Sequence, residues 1–212
     1  MKIRWYGHSC FSFTAQDSTR LITDPFDGSI GYKIPHVDAD IVTVSHDHYD
    51  HNYTEAVSGL PVIVNSPGTY KIKGIPITGV GTYHDELQGE KRGGNIVFIF
   101  EMDDLKICHL GDLGHVLTRE QAERIGCPDI LLIPVGGTFT IDATAAEEVI
   151  NQLEPKLIIP MHFKTKDVSL PIAPVDDFLE QVGGGKMMDT CYLDITRQTL
   201  PVIPSVWVMN YK

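Results

Sequence analysis

No stretch of this chain reaches the roughly 18 consecutive apolar residues that a membrane-spanning helix needs. The opening Met1-Lys2-Ile3-Arg4-Trp5 runs into alternating polar residues, not the apolar core of an export signal, so a cytoplasmic protein outside the membrane is expected. Only four cysteines occur, Cys10, Cys108, Cys127 and Cys191, and none pairs as C-x-x-C. Free thiols are therefore expected in place of a disulfide framework. Basic clusters are also missing: Lys71-Ile72-Lys73 and Lys91-Arg92 are the densest, against a net charge of −11. Such a surface repels phosphate backbones, so no nucleic-acid partner is expected, although either basic spot could hold a small anionic substrate. No linker-like segment or internal repeat divides the chain, and one domain over residues 1–212 is expected.

Present instead are short β-patterned runs, then helical ones. Ile3 and Trp5, then Phe11 and Phe13, alternate with polar neighbours. Leu21-Ile22-Thr23, Ile41-Val42-Thr43-Val44 and Pro61-Val62-Ile63-Val64 read as strands, as do Leu131-Leu132-Ile133 and Leu157-Ile158-Ile159. Met102-Asp103-Asp104 reads as a hairpin turn. Thr118-Arg119-Glu120-Gln121 is a capping box whose helix ends at Gly126, and Asp142 or Thr144 can cap the next helix. Val175, Phe178, Leu179 and Val182 give the i, i+3, i+4, i+7 spacing of a third. Strands first, then strands mixed with helices, predict an α/β or α+β sandwich.

Histidine is abundant, with nine residues, and three of them fall in His46-Asp47-His48-Tyr49-Asp50-His51. The His-x-His-x-Asp-His spacing there puts four ligand side chains in six residues and points to a metal site, and imidazole with carboxylate suits zinc, with manganese or iron as alternatives. One short loop rarely completes the coordination of two ions. Further donors are expected just past strand ends, where a rigid sheet holds them still. His84 after Val80-Gly81-Thr82-Tyr83, Asp112 in Leu110-Gly111-Asp112, and His162 in Pro160-Met161-His162 meet that description.

In that order, these segments resemble the motif set of the metallo-β-lactamase superfamily, and Gly7-His8-Ser9-Cys10-Phe11 extends the match. Within it, the chain is similar to the short single-domain branch that includes ascorbate-6-phosphate lactonase-like Zn-dependent hydrolases. The resemblance implies an αββα sandwich, two mixed β-sheets flanked by helices, with a site at one edge. It also implies two divalent cations: His46, His48 and His84 on one, Asp50, His51 and His162 on the other, and Asp112 bridging. A hydroxide between the ions would attack a small-molecule ester, lactone, amide or phosphodiester, with Asp50 also orienting it. An iron oxidoreductase of the persulfide-oxidising type is the alternative on the same ligands. Asp24 resembles an aspartate that steadies the metal loop by hydrogen bonding, while His8 and His115 are candidates for contacting substrate or donating a proton. His109 alternates in phase with Leu105 and Ile107, which predicts a buried, satisfied imidazole.

Overall fold

The alternation of Ile3, Trp5, Phe11, Phe13, Leu21 and Ile41 gives each of the first strands one wholly apolar face. In the computed structural model, which describes residues 1–212, these six side chains are all buried on one side of a six-stranded sheet. Its strand order is Tyr192–Asp194, Lys2–Gly7, Cys10–Thr14, Arg20–Thr23, Ile41–Thr43 and Val62–Val64. An eight-stranded sheet packs against it, ordered Lys186–Met187, Ser205–Val208, Leu157–Met161, Ile130–Pro134, Leu105–His109, Gly94–Met102, Ile75–Tyr83 and Gly68–Ile72. The Phe13 and Phe100 rings meet edge-on at 4.8 Å between the sheets, within one continuous core. Both sheets mix parallel and antiparallel pairs.

Sequence signals for the turns and helices are met closely. Asp103 and Asp104 both adopt positive φ (51° and 62°), the backbone of a two-residue hairpin turn, and join Gly94–Met102 to Leu105–His109. Helix α1 (Arg119–Ile125) starts with the reciprocal Thr118–Gln121 capping box and stops at Gly126. Helix α2 (Ala143–Leu153) is capped by Asp142, whose side chain accepts from the Ala145 N–H; Thr144 lies inside it. Helix α3 (Val175–Gln181) buries Val175 and Phe178. All three add apolar side chains to the core shared by the two sheets, and α1 packs beside Ile75–Tyr83. The opposite face of the six-stranded sheet carries Cys10, Ile22 and Val42, and loops cover it through Phe26, Ile30, Tyr32, Val168 and Ile172.

Strands Gly68–Ile72, Tyr192–Asp194 and Ser205–Val208 carry no clear sequence pattern. Ile75–Tyr83 contains Pro76, Gly79 and Gly81, which weaken its β signature. A β-carbon on Gly79 would press on the Ser66 carbonyl oxygen at 3.0 Å, so the neighbouring loop's close approach requires glycine there. No helix is long and apolar enough to cross a membrane. Cys10, Cys108 and Cys191 are buried, Cys127 is exposed, and all four are free thiols.

Candidate metal centre

Loops leaving strand ends converge at one edge of the sandwich. The hexapeptide follows Ile41–Thr43, His84 follows Ile75–Tyr83, Asp112 follows Leu105–His109, and His162 follows Leu157–Met161. Several of these exits turn sharply: His8, Asp24 and His162 have φ of 51°, 41° and 52°. For residues with a β-carbon, such left-handed geometry stores strain, which concentrates where a site must be held in shape. At Gly111, φ is 57°, and a β-carbon would collide with the Asn95 amide and the Ser45 side chain. Glycine is thus required beside Asp112.

The seven sequence-predicted donors come together. Ring nitrogens of His46, His48 and His84 lie within 4.8 Å of one another, as do ligand atoms of His51, Asp50, His162 and His8. The Asp112 carboxylate sits between these groups. Its Oδ2 is 3.3 Å from His84 Nε2, 3.2 Å from His162 Nε2 and 4.0 Å from His46 Nε2, while Oδ1 is 3.3 Å from His51 Nε2. Buried polar atoms are nearly always paired. Here His46 Nε2, His51 Nε2 and Asp112 Oδ1 are buried without a hydrogen-bond partner, all facing the cluster. Unpartnered ring nitrogens and a carboxylate oxygen that converge on one another are what a cation would satisfy, so the residues fit a metal.

Asp24, fully buried, organises the hexapeptide from behind. Its Oδ1 accepts from the Ser45 N–H (2.8 Å), and its Oδ2 from the Ser45 hydroxyl (2.6 Å) and His51 Nδ1 (2.8 Å). Burial pushes the Asp24 pKa up, but the His51 hydrogen bond, the neighbouring His109 and His51, and Ser45 outweigh it, leaving a carboxylate below its ordinary value. An ionised carboxylate only accepts, so His51 carries a proton on Nδ1 and turns Nε2 to the cluster. Ser45 Oγ, having donated to Asp24, accepts from His46 Nδ1 at 2.9 Å. One carboxylate thereby sets the tautomers of two ligands.

Asp112 is fixed by Asn95, whose Oδ1 accepts the Asp112 N–H (2.9 Å) and whose amide donates to Thr82 Oγ1 and the Leu110 carbonyl. Burial opposes ionisation of Asp112, yet His162 and His51 hold its pKa well below the ordinary range. The same carboxylate and Asp24 raise the His51 pKa against its desolvation. Burial pushes His46 down to about 3 and His8 to about 4, so both imidazoles are neutral near pH 7.

His8 lies inside the cluster. Its Nε2 is 3.2 Å from Asp50 Oδ2 and its ring 4.1 Å from that of His162. The backbone ties it there: Trp5 Nε1 and the His162 N–H both donate to the His8 carbonyl. His115 lies outside, with both ring nitrogens engaged: Nδ1 with the Val116 carbonyl at 2.8 Å, Nε2 accepting the Tyr83 N–H at 3.2 Å. It faces a neighbouring cleft. His109 is buried, with Nε2 donating to the Ser9 carbonyl and Nδ1 facing the Gly111 N–H. Tyr49, 52% exposed, lines the mouth of the cavity over the donors, which has a volume of about 280 Å³. Lys164 and Lys166 are exposed and do not line it. Ser45 and Asn95 were not foreseen: a lone serine just past a strand, or an asparagine within one, carries no signal until its partners are known.

A family model described as the beta-lactamase superfamily domain matches residues 2–162, which span every one of these donors. The UPF0173 metal-dependent hydrolase TV0864 of Thermoplasma volcanium is 30% identical over 195 residues, covering 79% of this chain and 86% of its own. A crystal structure from Thermotoga maritima, of a metallo-β-lactamase superfamily protein proposed to be a Zn-dependent hydrolase, is 44% identical. It covers 98% of this chain and 97% of that one with a TM-score of 0.83. The metallo-β-lactamase fold protein YhfI of Bacillus subtilis, at 11% identity and a TM-score of 0.65, shares the fold over 99% of this chain and 97% of its own.

Proposed function

Because the chain belongs to the β-lactamase superfamily, in its metallo-β-lactamase branch, we propose that it is a metal-dependent hydrolase with a two-cation centre acting on a small-molecule ester, lactone, amide or phosphodiester. One observation carries the two-cation reading: the Asp112 carboxylate faces His46, His84 and His162 through one oxygen and His51 through the other. His46, His48 and His84 would hold one ion, Asp50, His51 and His162 the other, and Asp112 both. Divalent cations bound there would supply a water of lowered pKa as nucleophile and polarise the scissile bond; zinc suits the donor set.

The chain's own residues prepare that chemistry. Asp24 and Ser45 keep two imidazoles in the tautomer that leaves Nε2 free. His8 braces the Asp50 carboxylate through Oδ2, leaving its other oxygen to accept a proton from the attacking water. Burial of the donors excludes bulk water, which strengthens every electrostatic interaction within the site.

Metal analysis combined with turnover of lactone, phosphodiester, thioester and amide substrates tests the reading. The wild type is expected to hold two ions per chain and to hydrolyse at least one class. Asp112→Ala and His48→Ala are expected to lose metal and activity while remaining folded by circular dichroism. Undiminished hydrolysis in both variants would overturn the proposal. One iron per chain with oxygen consumption would replace it with the oxidoreductase reading.

A further inference from the structure

The wall of the metal cavity carries a single cationic side chain beside the metal donors, Arg92. The same arginine, with His84 and Phe139, also lines an adjoining cleft of about 550 Å³, so it stands where the two spaces meet. Its backbone is pinned: the buried Asp85 carboxylate accepts the N–H groups of Leu87, Gly89, Lys91 and Arg92 at 2.8 to 3.0 Å. Its guanidinium is also held. Nη2 donates to the Thr138 carbonyl at 2.9 Å, and Cζ lies 5.5 Å from the centre of the Phe139 ring. Thr138 presents that carbonyl from a left-handed turn (φ 58°) after Gly137.

A guanidinium has five N–H donors in a rigid fork, and Arg92 commits one of them to protein. It forms no ion pair, unlike Arg119 and Arg197, which meet carboxylates. Of the acidic residues around the outer cleft, Asp85 and Asp142 accept main-chain N–H groups, and Glu86 is exposed to solvent. A pre-oriented, unpaired fork on a stacked aromatic ring is the geometry that recognises carboxylate or phosphate. It also answers a difficulty of the whole molecule: at a net charge of −11 an anion is repelled at long range, and Arg92 supplies a fixed positive side chain beside the donors.

We propose that Arg92 selects substrates carrying a carboxylate or phosphate, gripping that anion at the junction of the two cavities while the scissile bond lies over the metal donors. This rests on the hydrolase reading and adds the substrate class to it. The test compares hydrolysis of mono(4-nitrophenyl) succinate and 4-nitrophenyl butyrate by the metal-loaded protein, which are esters of similar length differing by one carboxylate. The wild type is expected to prefer the succinate. Arg92→Gln is expected to lower that preference by about tenfold or more, mainly through KM, as befits loss of a charged hydrogen bond. Arg92→Lys, which keeps the charge without the fork, is expected to fall between them. No preference in the wild type, or one that Arg92→Gln leaves intact, overturns the assignment. Calorimetric titration with succinate, and separately with inorganic phosphate, provides an arm that needs no turnover and shows which anion is held better. If neither ester is cleaved, the hydrolase reading is judged separately on the lactone, phosphodiester, thioester and amide substrates, and a Kd raised about tenfold by Arg92→Gln still supports the anion site. Equal affinities in wild type and variant reject it.

Discussion

Exchanging the Asp24 carboxylate for the nearly isosteric amide of asparagine keeps its size but removes its charge and inverts the hydrogen-bond polarity of one terminal atom, and it should disable ligands on both sides of the centre. The carboxylate accepts three bonds, one at Oδ1 from the Ser45 N–H and two at Oδ2 from Ser45 Oγ and His51 Nδ1. Asparagine can keep its oxygen on the Ser45 N–H only by turning its NH₂ group toward the other two. His51 must then accept at Nδ1 and carry its proton on Nε2, the atom that faces Asp112 at 3.3 Å. Ser45 must likewise accept from asparagine and donate to His46 Nδ1, which moves that proton to Nε2 too. The opposite amide orientation sets donor against donor at the Ser45 N–H. Disrupting such an outer partner typically costs ten- to a hundredfold in metal affinity, or about 1.4–2.7 kcal/mol, and two affected ligands place Asp24→Asn at the upper end. Competition with a chromogenic chelator measures the loss, and circular dichroism checks that the fold persists. Ser45→Ala, which interrupts only the His46 branch, should lose less. Wild-type affinity in Asp24→Asn would refute the tautomer argument.

Two further outcomes are expected. Burial lowers the pKa of His46 (about 3) and His8 (about 4) and also lowers His84 and His109, against an unfolded value near 6.5. His51 alone among these imidazoles is raised. Unfolding therefore takes up protons as the pH falls below 6.5. The chelator-treated protein should lose about 1.4 kcal/mol of stability per pH unit for each excess proton between pH 6.5 and 4. Urea midpoints at pH 7 and pH 5 measure this, and a higher midpoint at pH 5 would contradict it. Thr118→Ala removes one half of a reciprocal cap and should cost about 1 kcal/mol, lowering Tm by roughly 2–4 °C in a chain of this size. An unchanged Tm would show that tertiary packing alone holds α1.

The donors were legible in the sequence because each is a rare ligand-type residue just past an apolar run, and a strand's end is a local signal. Helices α1 and α2 were legible for the same reason, since Thr118 and Asp142 cap and Gly126 stops within a few residues of what they affect, and α3 was legible from the spacing of its apolar residues. His109 and the Asp103-Asp104 turn followed from alternation. Strands such as Gly68–Ile72 and Ser205–Val208 did not, because their partners rather than their own composition make them strands.

What composition and spacing determined by themselves was therefore an inventory: seven donors in order, one sandwich of sheets, and an acidic surface. Tertiary structure decided the roles. His8 and His115 are both isolated imidazoles near motif residues, yet one lies against Asp50 while the other spends both nitrogens on the backbone at a neighbouring cleft. Arg92 is one of two adjacent basic residues until the loop pinned by Asp85 carries it to the rim of the centre. Asn95 and Ser45 become part of the site only through groups far away in the chain. The physical reason is common to all five: hydrogen-bond partnership and burial depend on atoms brought together across 17 to 46 residues, and no local pattern encodes that distance.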